Sequence, residues 1–260
     1  MEFSGKNGGL LALEDFKDHT TTWVEPLSSD YRSYTIHELP PNGQGITALE
    51  MLNVLEGYDI SSLEHSSPEY LHLLIEAKKF AFSDRDYFIT DPEFENIPLD
   101  MLLSKEHARQ GREKIDSNKA MTPSIPFSYT ADSDTVYVTA VDESRNAVSF
   151  ISSIYLPFGS GMVVDGTGII LQNRGKSFSL DPNRFNKIEP HKRPMHTIIP
   201  GMVFKDGNFL MSFGVMGGDM QPQGHVQFLI NLIDFKMNLQ EAVDAPRIRH
   251  MGGNGSLSRR

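Results

Sequence analysis

Cysteine is absent from the 260 residues of this sequence. Disulfide bonds, thiol catalysis and thiolate metal ligands are therefore excluded for the chain. Positive charge is also scarce, because 24 lysines and arginines stand against 34 aspartates and glutamates and give a net charge of -10. A nucleic-acid partner requires a basic face on the protein, so this charge balance argues against one.

Long apolar runs are missing as well. No stretch is apolar over the roughly 20 residues that a membrane-spanning helix needs, so we expect no membrane partner. The N-terminus, Met1–Lys6, lacks the apolar segment of a signal peptide. This predicts a cytoplasmic protein, or a periplasmic or secreted one if a leader is missing. The residues present, 39% hydrophobic and 10% aromatic, are typical of a globular fold.

Metal-binding patterns are a third absence. The nine histidines include no His-Glu-x-x-His pair, and His191 and His196 do not lie one helical turn apart. Asp84 and Asp86 are interpreted as members of a solvated helix face or as capping residues. The sequence therefore predicts neither a metal site nor a cofactor.

Helical spacing of apolar residues dominates the first half of the chain. Ser67 and Pro68 form a strong helix start, and the apolar spacing continues for about four to five turns. Residues 40–45, with the sequence Pro-Pro-Asn-Gly-Gln-Gly, are a strong loop signal. The other predicted elements are a short helix at Leu11–Phe16, a strand at Tyr31–Leu39, a helix from Ile46 to Leu55 and a charged helix at Ser104–Ile115.

Residues 117–134 change the character of the sequence. Their prolines, serines, threonines and aspartates are typical of a solvated linker. The predicted strands after it are Thr135–Val141, Ala147–Ile154, Gly168–Gln172, Thr197–Phe204 and Phe209–Gly214, and the predicted helices are Gln223–Phe235 and a short one after Asn238. Helices in the first half, then strands followed by helices, indicate an α+β fold rather than alternating βαβ units.

Thr135 stands where this linker meets the first of those strands. Threonine commonly opens a strand because β-branched residues suit extended backbone, so the residue can be purely structural. If the chain were cut before Thr135, however, a new α-amine would lie beside the hydroxyl of the same residue. Such a residue carries both a nucleophile and its base.

Glycines mark two further places. Gly214–Asp219 lies between a strand and a helix, and its N–H groups can point at an oxyanion. The alternative is a tight strand–helix turn. The spacing does not match a dinucleotide fingerprint or a P-loop. Phe158–Gly161 and Asp165–Gly168 are, taken alone, two glycine turns.

Taken together, these motifs resemble the γ-glutamyltransferase (γ-glutamyltranspeptidase) family of N-terminal nucleophile hydrolases, over Gly8 to His250. The carrying stretches are Asp134–Val148, Phe158–Gly161, Gly166–Asn173, Lys192–Met195, the pair Gly217-Gly218, Asn238–Arg247, Pro40–Gly45 and Ala77–Asp91. The resemblance implies a four-layer αββα sandwich that forms one structural domain. Residues 1–134 would be the C-terminal part of the large-subunit region, with the processing linker at 117–134, and 135–260 the small-subunit region.

The resemblance also implies a mechanism. A precursor cleaves itself between Asp134 and Thr135, so that the large and small subunits come from one chain. Thr135 then attacks a γ-glutamyl or glutaryl-like amide, and water or an amine acceptor releases the acyl group. Gly217 and Gly218 match the oxyanion hole, and Ser153 matches a hydroxyl that orients the nucleophile.

The residues that recognise the glutamyl group in typical members are replaced here. An asparagine position holds Tyr155, a glutamine position Arg174, and the aspartate that grips the substrate amine aligns with Ser177. The two serines that hold the substrate carboxylate align with His196 and Thr197. Such a pocket favours an acyl group with a carboxylate but no adjacent ammonium, which is closer to the glutaryl-type cephalosporin acylase branch.

Family members extend beyond both ends of this sequence. We therefore expect a chain that is shortened at both ends and a sandwich that is incomplete. One alternative keeps the scaffold without the chemistry: a non-catalytic truncated pseudoenzyme or binding module.

Overall fold

A computed structural model describes residues 2–122, 134–252 and 255–259 of the chain. Most of the predicted linker, residues 123–133, lies outside these described residues. The helices are α1 (Glu2–Lys6), α2 (Leu13–Lys17), α3 (Gly45–Leu55), α4 (Pro68–Phe88), α5 (Leu99–Leu102), α6 (Lys105–Lys114), α7 (Met220–Ile233) and α8 (Leu239–Asp244). The strands are β1 (Leu27–Tyr31), β2 (Tyr34–Glu38), β3 (Asp134–Val141), β4 (Ala147–Tyr155), β5 (Gly201–Lys205), β6 (Asn208–Phe213), β7 (Arg247–Gly252) and β8 (Gly255–Arg259). This mixture confirms the α+β class.

A four-stranded antiparallel sheet in the order β1-β2-β5-β6 supports the main core. Alternation of side chains along each strand directs Ile36, Val203 and Phe213 into this core. Every residue of α3 is buried, and α3 contacts α4, α6, α7 and both β1 and β2. The helix is therefore the central element against which α4, α6 and α7 pack. The four-layer sandwich stays a prediction.

Side-chain caps explain why several helices begin where the sequence predicts. The Ser67 hydroxyl accepts a hydrogen bond from Tyr70 N–H at 3.2 Å and starts α4, which is longer than predicted with 21 residues. Ser104 caps α6 in the same way. Asn238 and Glu241 form a reciprocal capping box at α8. No helix within the described ranges is long and apolar enough to cross a membrane.

The β3–β4 hairpin confirms two predicted strands. Thr139 and Ser212 are hydrogen-bonded, and the Ser149 hydroxyl donates to the Gly201 carbonyl oxygen at 3.1 Å. These contacts fix one face of the hairpin against β5 and β6. The opposite face carries large apolar side chains that are more than half exposed: Val136, Val138, Val148 and Phe150.

Other strand predictions are wrong in part. The predicted strand Tyr31–Leu39 starts too early, because Arg32 adopts a positive φ of 57° and reverses the chain between β1 and β2, so that the strand itself is Tyr34–Glu38. Gly168–Gln172 forms only an isolated bridge between Ile170 and Val163. Glycines with positive φ at 161, 166 and 168 curl this segment and prevent a regular ladder. The strands β7 and β8 were not predicted.

Arg85 of α4 is a buried cation with only 1% of its surface exposed. Its Nη1 donates to Gln44 Oε1 at 2.9 Å and to Asp219 Oδ1 at 2.7 Å, while its Nε donates to Asp86 at 2.7 Å. The guanidinium also lies 4.0 Å from the centre of the Phe82 ring. One side chain therefore joins α4 to the turn before α3 and to the loop before α7.

The interpretation of Asp84 and Asp86 as a solvated helix face is wrong. Asp86 pairs with Arg85, and only 11% of its side chain is exposed. Asp84 Oδ2 lies 2.7 Å from His107 Nε2, and only 19% of its side chain is exposed. Polarity alone suggested exposure, but α4 is covered by neighbouring elements on these sides.

Replacing Arg85 by methionine is expected to lower the free energy of unfolding by about 3–5 kcal/mol, because two buried carboxylates lose their cation. For a chain of this size the melting temperature should fall by roughly 10 °C, measured by thermal denaturation. Arg109→Met is the matched control, since Arg109 pairs with Glu106 and Glu113 on an exposed face of α6 and should melt like the wild type. Equal melting temperatures for both variants would contradict this role of Arg85.

Candidate active site

Thr135 is the second residue of β3, and it pairs with Ser153 of β4. The ladder shifts its register between Asp134 and Thr135, so a β-bulge lies at the bond that the sequence marks for cleavage. The Oγ1 atom of Thr135 is buried and has no hydrogen-bonding partner within the described part of the chain. A buried hydroxyl without a partner is costly in a purely structural role.

Ser153 lies directly opposite Thr135 in the ladder. Its hydroxyl oxygen accepts a hydrogen bond from the Tyr155 N–H at 3.0 Å. This contact accompanies a positive φ of 79° at Tyr155, which bends the end of β4. The predicted pair of hydroxyls is therefore brought together, while the orienting role of Ser153 stays a prediction.

Gly217 and Gly218 precede α7 with φ values of +115° and +56°. Other residues adopt such backbone at a cost, so glycine is required by the shape of this loop. Their carbonyl oxygens accept from Met220 and Gln221 N–H at 2.9 and 3.0 Å. Neither glycine N–H donates to any residue described by the structure. Two free N–H groups at a helix N-terminus can bind an oxyanion.

Gln44 connects this glycine loop with the candidate pocket. Its Nε2 donates to the Gly218 carbonyl at 3.0 Å and to the Thr197 carbonyl at 2.8 Å. Its Oε1 accepts from Arg85. Neither Gln44 nor Arg85 is predicted as a site residue from the sequence. The available signal was that Gln44 belongs to the loop motif at 40–45 and Arg85 to the 77–91 motif.

Arg174 is 97% buried, since only 3% of its surface is exposed. Its Nη1 donates to the Thr197 hydroxyl at 2.9 Å, and its guanidinium carbon lies 5.0 Å from the centre of the Tyr155 ring. The Nη2 atom has no hydrogen-bonding partner among the residues that are described. Burial lowers the pKa of Arg174 to about 10, only partly offset by Tyr155.

Tyr155 and His196 surround this guanidinium. Burial and the charge of Asp219 raise the pKa of Tyr155 to about 12, against the effect of Arg174. Burial and the nearby Arg174 charge lower the pKa of His196 to about 3. His196 is therefore neutral at physiological pH, and its Nδ1 accepts from Ile198 N–H at 3.3 Å.

Ser177 contacts the backbone rather than Arg174's guanidinium. Its hydroxyl lies 2.9 Å from the Arg174 carbonyl oxygen and 3.0 Å from that of Met195. It holds the two segments of the candidate pocket together. Four of the five predicted substrate-binding residues converge: Tyr155, Arg174, His196 and Thr197. The fifth, Ser177, contacts only the backbone of the segments that carry them.

The backbone links these groups to Thr135. Ser153 and Tyr155 are two residues apart on β4, and the Tyr137 ring of β3 packs within 2.5 Å of the position where Gly214 would carry a Cβ. Gly214 therefore allows β3 to pass close to the loop that ends in Gly217 and Gly218. The arrangement combines a hydroxyl, free N–H donors and a buried cation, which are the components of an acyl-transfer site for an anionic acyl group.

Comparison with known proteins identifies the family of this chain. The family model described as Gamma-glutamyltranspeptidase matches residues 1–257. The glutathione hydrolase-like YwrD proenzyme of Bacillus subtilis strain 168 is 46% identical over 93% of this chain, and the acylase ACY 1 proenzyme of Pseudomonas sp. strain SE83 is 36% identical over 97%.

A solved structure is similar across nearly the whole chain. The cephalosporin acylase from Bacillus halodurans superposes with a TM-score of 0.88 at 46% identity and covers 96% of this chain. The chain spans about 45% of the length of each of these three relatives. Since the family model covers almost every residue, the chain belongs to the γ-glutamyltranspeptidase family.

Proposed function

We propose that this chain is part of an autoprocessing amidohydrolase or acyltransferase in which Thr135 is the nucleophile. The observation that carries the proposal is the buried Thr135 Oγ1 without a hydrogen-bonding partner in the described residues, at the β-bulge opposite Ser153. The free N–H groups of Gly217 and Gly218 support it, since an acyl-transfer reaction needs donors for its oxyanion.

Processing precedes catalysis in this proposal. The Thr135 hydroxyl attacks the carbonyl carbon of Asp134, and the C–N bond breaks as the Thr135 nitrogen takes up a proton. The resulting ester joins the Asp134 acyl group to Oγ1. Water then hydrolyses the ester, which leaves a carboxylate on Asp134 and a free amine and hydroxyl on Thr135. The large and small subunits therefore come from one precursor.

Turnover repeats this chemistry on a substrate amide. An unperturbed α-amine has a pKa of about 8, so a substantial fraction is neutral near physiological pH and can accept the Thr135 hydroxyl proton, directly or through a water. Oγ1 attacks the amide carbonyl, and Gly217 and Gly218 N–H groups bind the oxyanion. The amine product leaves with a proton, and water or an acceptor amine releases the acyl group. One oxyanion donor contributes on the order of 3 kcal/mol to lowering the barrier.

Arg174 supports a glutaryl-type rather than a γ-glutamyl acyl group. A buried guanidinium whose Nη2 has no hydrogen-bonding partner among the described residues can pair with a substrate carboxylate. The pocket residues Tyr155, Ser177, neutral His196 and Thr197 supply no carboxylate for a substrate ammonium. We therefore propose an anionic acyl group without an adjacent ammonium, released to water or to an amine.

We expect the purified chain to yield a fragment that begins at Thr135, because the unpaired hydroxyl lies next to the Asp134 carbonyl. Intact-mass measurement over a long incubation detects it. Thr135→Ala should remain uncleaved and lose turnover of an anilide substrate. Val138→Ala is the matched control, since Val138 lies further along β3 on its exposed face and should still allow cleavage.

Absence of any species that begins at Thr135, together with full turnover in Thr135→Ala, would remove the nucleophile from the proposal. Absence of both cleavage and turnover would instead favour the non-catalytic alternative. The mass measurement and the anilide assay therefore distinguish these two cases.

A glutaryl anilide should be hydrolysed with a higher kcat/KM than a γ-glutamyl anilide. Arg174→Gln removes the cation for the carboxylate and should reduce kcat/KM for the glutaryl compound by roughly 10- to 100-fold, the effect of losing one charge-assisted hydrogen bond. Lys176→Gln is the matched control, because Lys176 is an exposed cation two residues away. Equal or reversed preference in the wild type would refute the assignment of the pocket.

A further inference from the structure

Three potential ligands from three helices converge away from the candidate active site. Glu50 of α3, Asp84 of α4 and His107 of α6 place their carboxylate and imidazole ligand atoms within 4.8 Å of one another. His107 Nε2 lies 2.7 Å from Asp84 Oδ2. The Phe80 ring packs beside the imidazole, with 4.8 Å between the ring centres. The imidazole is therefore held towards the two carboxyl groups.

Glu50 is the unusual member of this cluster. Only 2% of its surface is exposed, and neither carboxylate oxygen accepts a hydrogen bond from an N–H or hydroxyl group in the described portion of the chain. Burying an ionised carboxylate without a partner is very costly, so such a group is neutralised by a proton or by a cation. Burial, the charge of Asp84 and a hydrogen bond with the Asp84 carboxyl all raise the pKa of Glu50.

The donor set favours a cation. Two carboxylates carry two negative charges, which one divalent ion balances, and His107 offers an imidazole nitrogen next to them. Imidazole with carboxylate is a ligand set for Zn²⁺, Mn²⁺ or Fe²⁺, whereas Mg²⁺ and Ca²⁺ prefer oxygen ligands alone. Ligand atoms within 4.8 Å of one another can surround one ion at about 2.0–2.2 Å after small side-chain rotations.

We propose that Glu50, Asp84 and His107 bind one divalent transition-metal ion that joins α3, α4 and α6. Glu50 closes the site from inside the protein, while Asp84 and His107 have side chains that are 19% and 14% exposed and leave a path from solvent. Three protein ligands leave at least one coordination position for water. Because α3 is the central buried helix, the ion would stabilise the helical layer.

The test uses the purified chain after removal of metals with a chelator. Zn²⁺ should raise the melting temperature by about 5 °C at saturation, with Mn²⁺ acting in the same direction and Mg²⁺ having little effect. Isothermal titration should give about one equivalent of Zn²⁺ per chain, as three converging ligands imply.

Variants separate this site from adventitious binding. Glu50→Gln and His107→Gln should each abolish the Zn²⁺-dependent rise in melting temperature and the stoichiometric binding. His72→Gln is the matched control, because His72 lies on α4 with its Nε2 2.8 Å from the Asp116 carbonyl oxygen and outside the cluster. It should retain both effects.

Two results overturn the proposal. In the first, the wild type shows no saturable Zn²⁺ or Mn²⁺ binding, and the Glu50 carboxyl then shares a proton with Asp84 instead. In the second, His107→Gln binds Zn²⁺ as tightly as the wild type. If Glu50→Gln does not fold, Zn²⁺ binding by His107→Gln, a variant at a partly exposed position, tests the proposal by itself.

Discussion

The Arg85 guanidinium is the contact on which the organisation of the candidate site depends. Its cation neutralises Asp219, which follows Gly218, and it orients the amide of Gln44. Gln44 in turn binds the carbonyl oxygens of Gly218 and Thr197. The glycine loop and the candidate acyl pocket are therefore positioned by the same buried side chain. Because the network is buried, water does not compete for its hydrogen bonds.

The electrostatics of the pocket differ from those of the whole chain. The net charge is -10, yet burial lowers the pKa of Arg174, whose Nη1 donates to the uncharged Thr197 hydroxyl. The same cation, together with burial, keeps His196 neutral. A positive charge that is removed from water favours the binding of an anionic ligand.

Local signals made much of this fold predictable. Ser67, Ser104 and Asn238 cap helices that begin where expected, and the alternation around Thr135 marks a real strand. The turn at Arg32 was not predicted, because no glycine marks its positive φ in the sequence. For the predicted caps and strands, the deciding information lay within a few residues of the chain.

Contacts between distant segments were not predictable from one sequence. The ion pair between Arg85 and Asp219 spans 134 positions, and the convergence of Glu50, Asp84 and His107 needs the packing of three helices. Histidine spacing along the chain therefore gave no indication of this cluster. The predicted pocket residues were identified only through the family resemblance, which carries three-dimensional information that composition and periodicity lack.

The β3–β4 ladder bears on whether the proposed cleavage before Thr135 can be reversed. Every residue from Thr135 to Val141 pairs with β4, so the downstream side of the Asp134–Thr135 bond is already anchored before any cut. Cleavage would create a new chain end at Asp134, which pairs with Tyr155, while the new Thr135 amine would stay beside its own hydroxyl. Rejoining the two chain ends would cost the conformational entropy that the cut released. This cost would disfavour the reverse reaction.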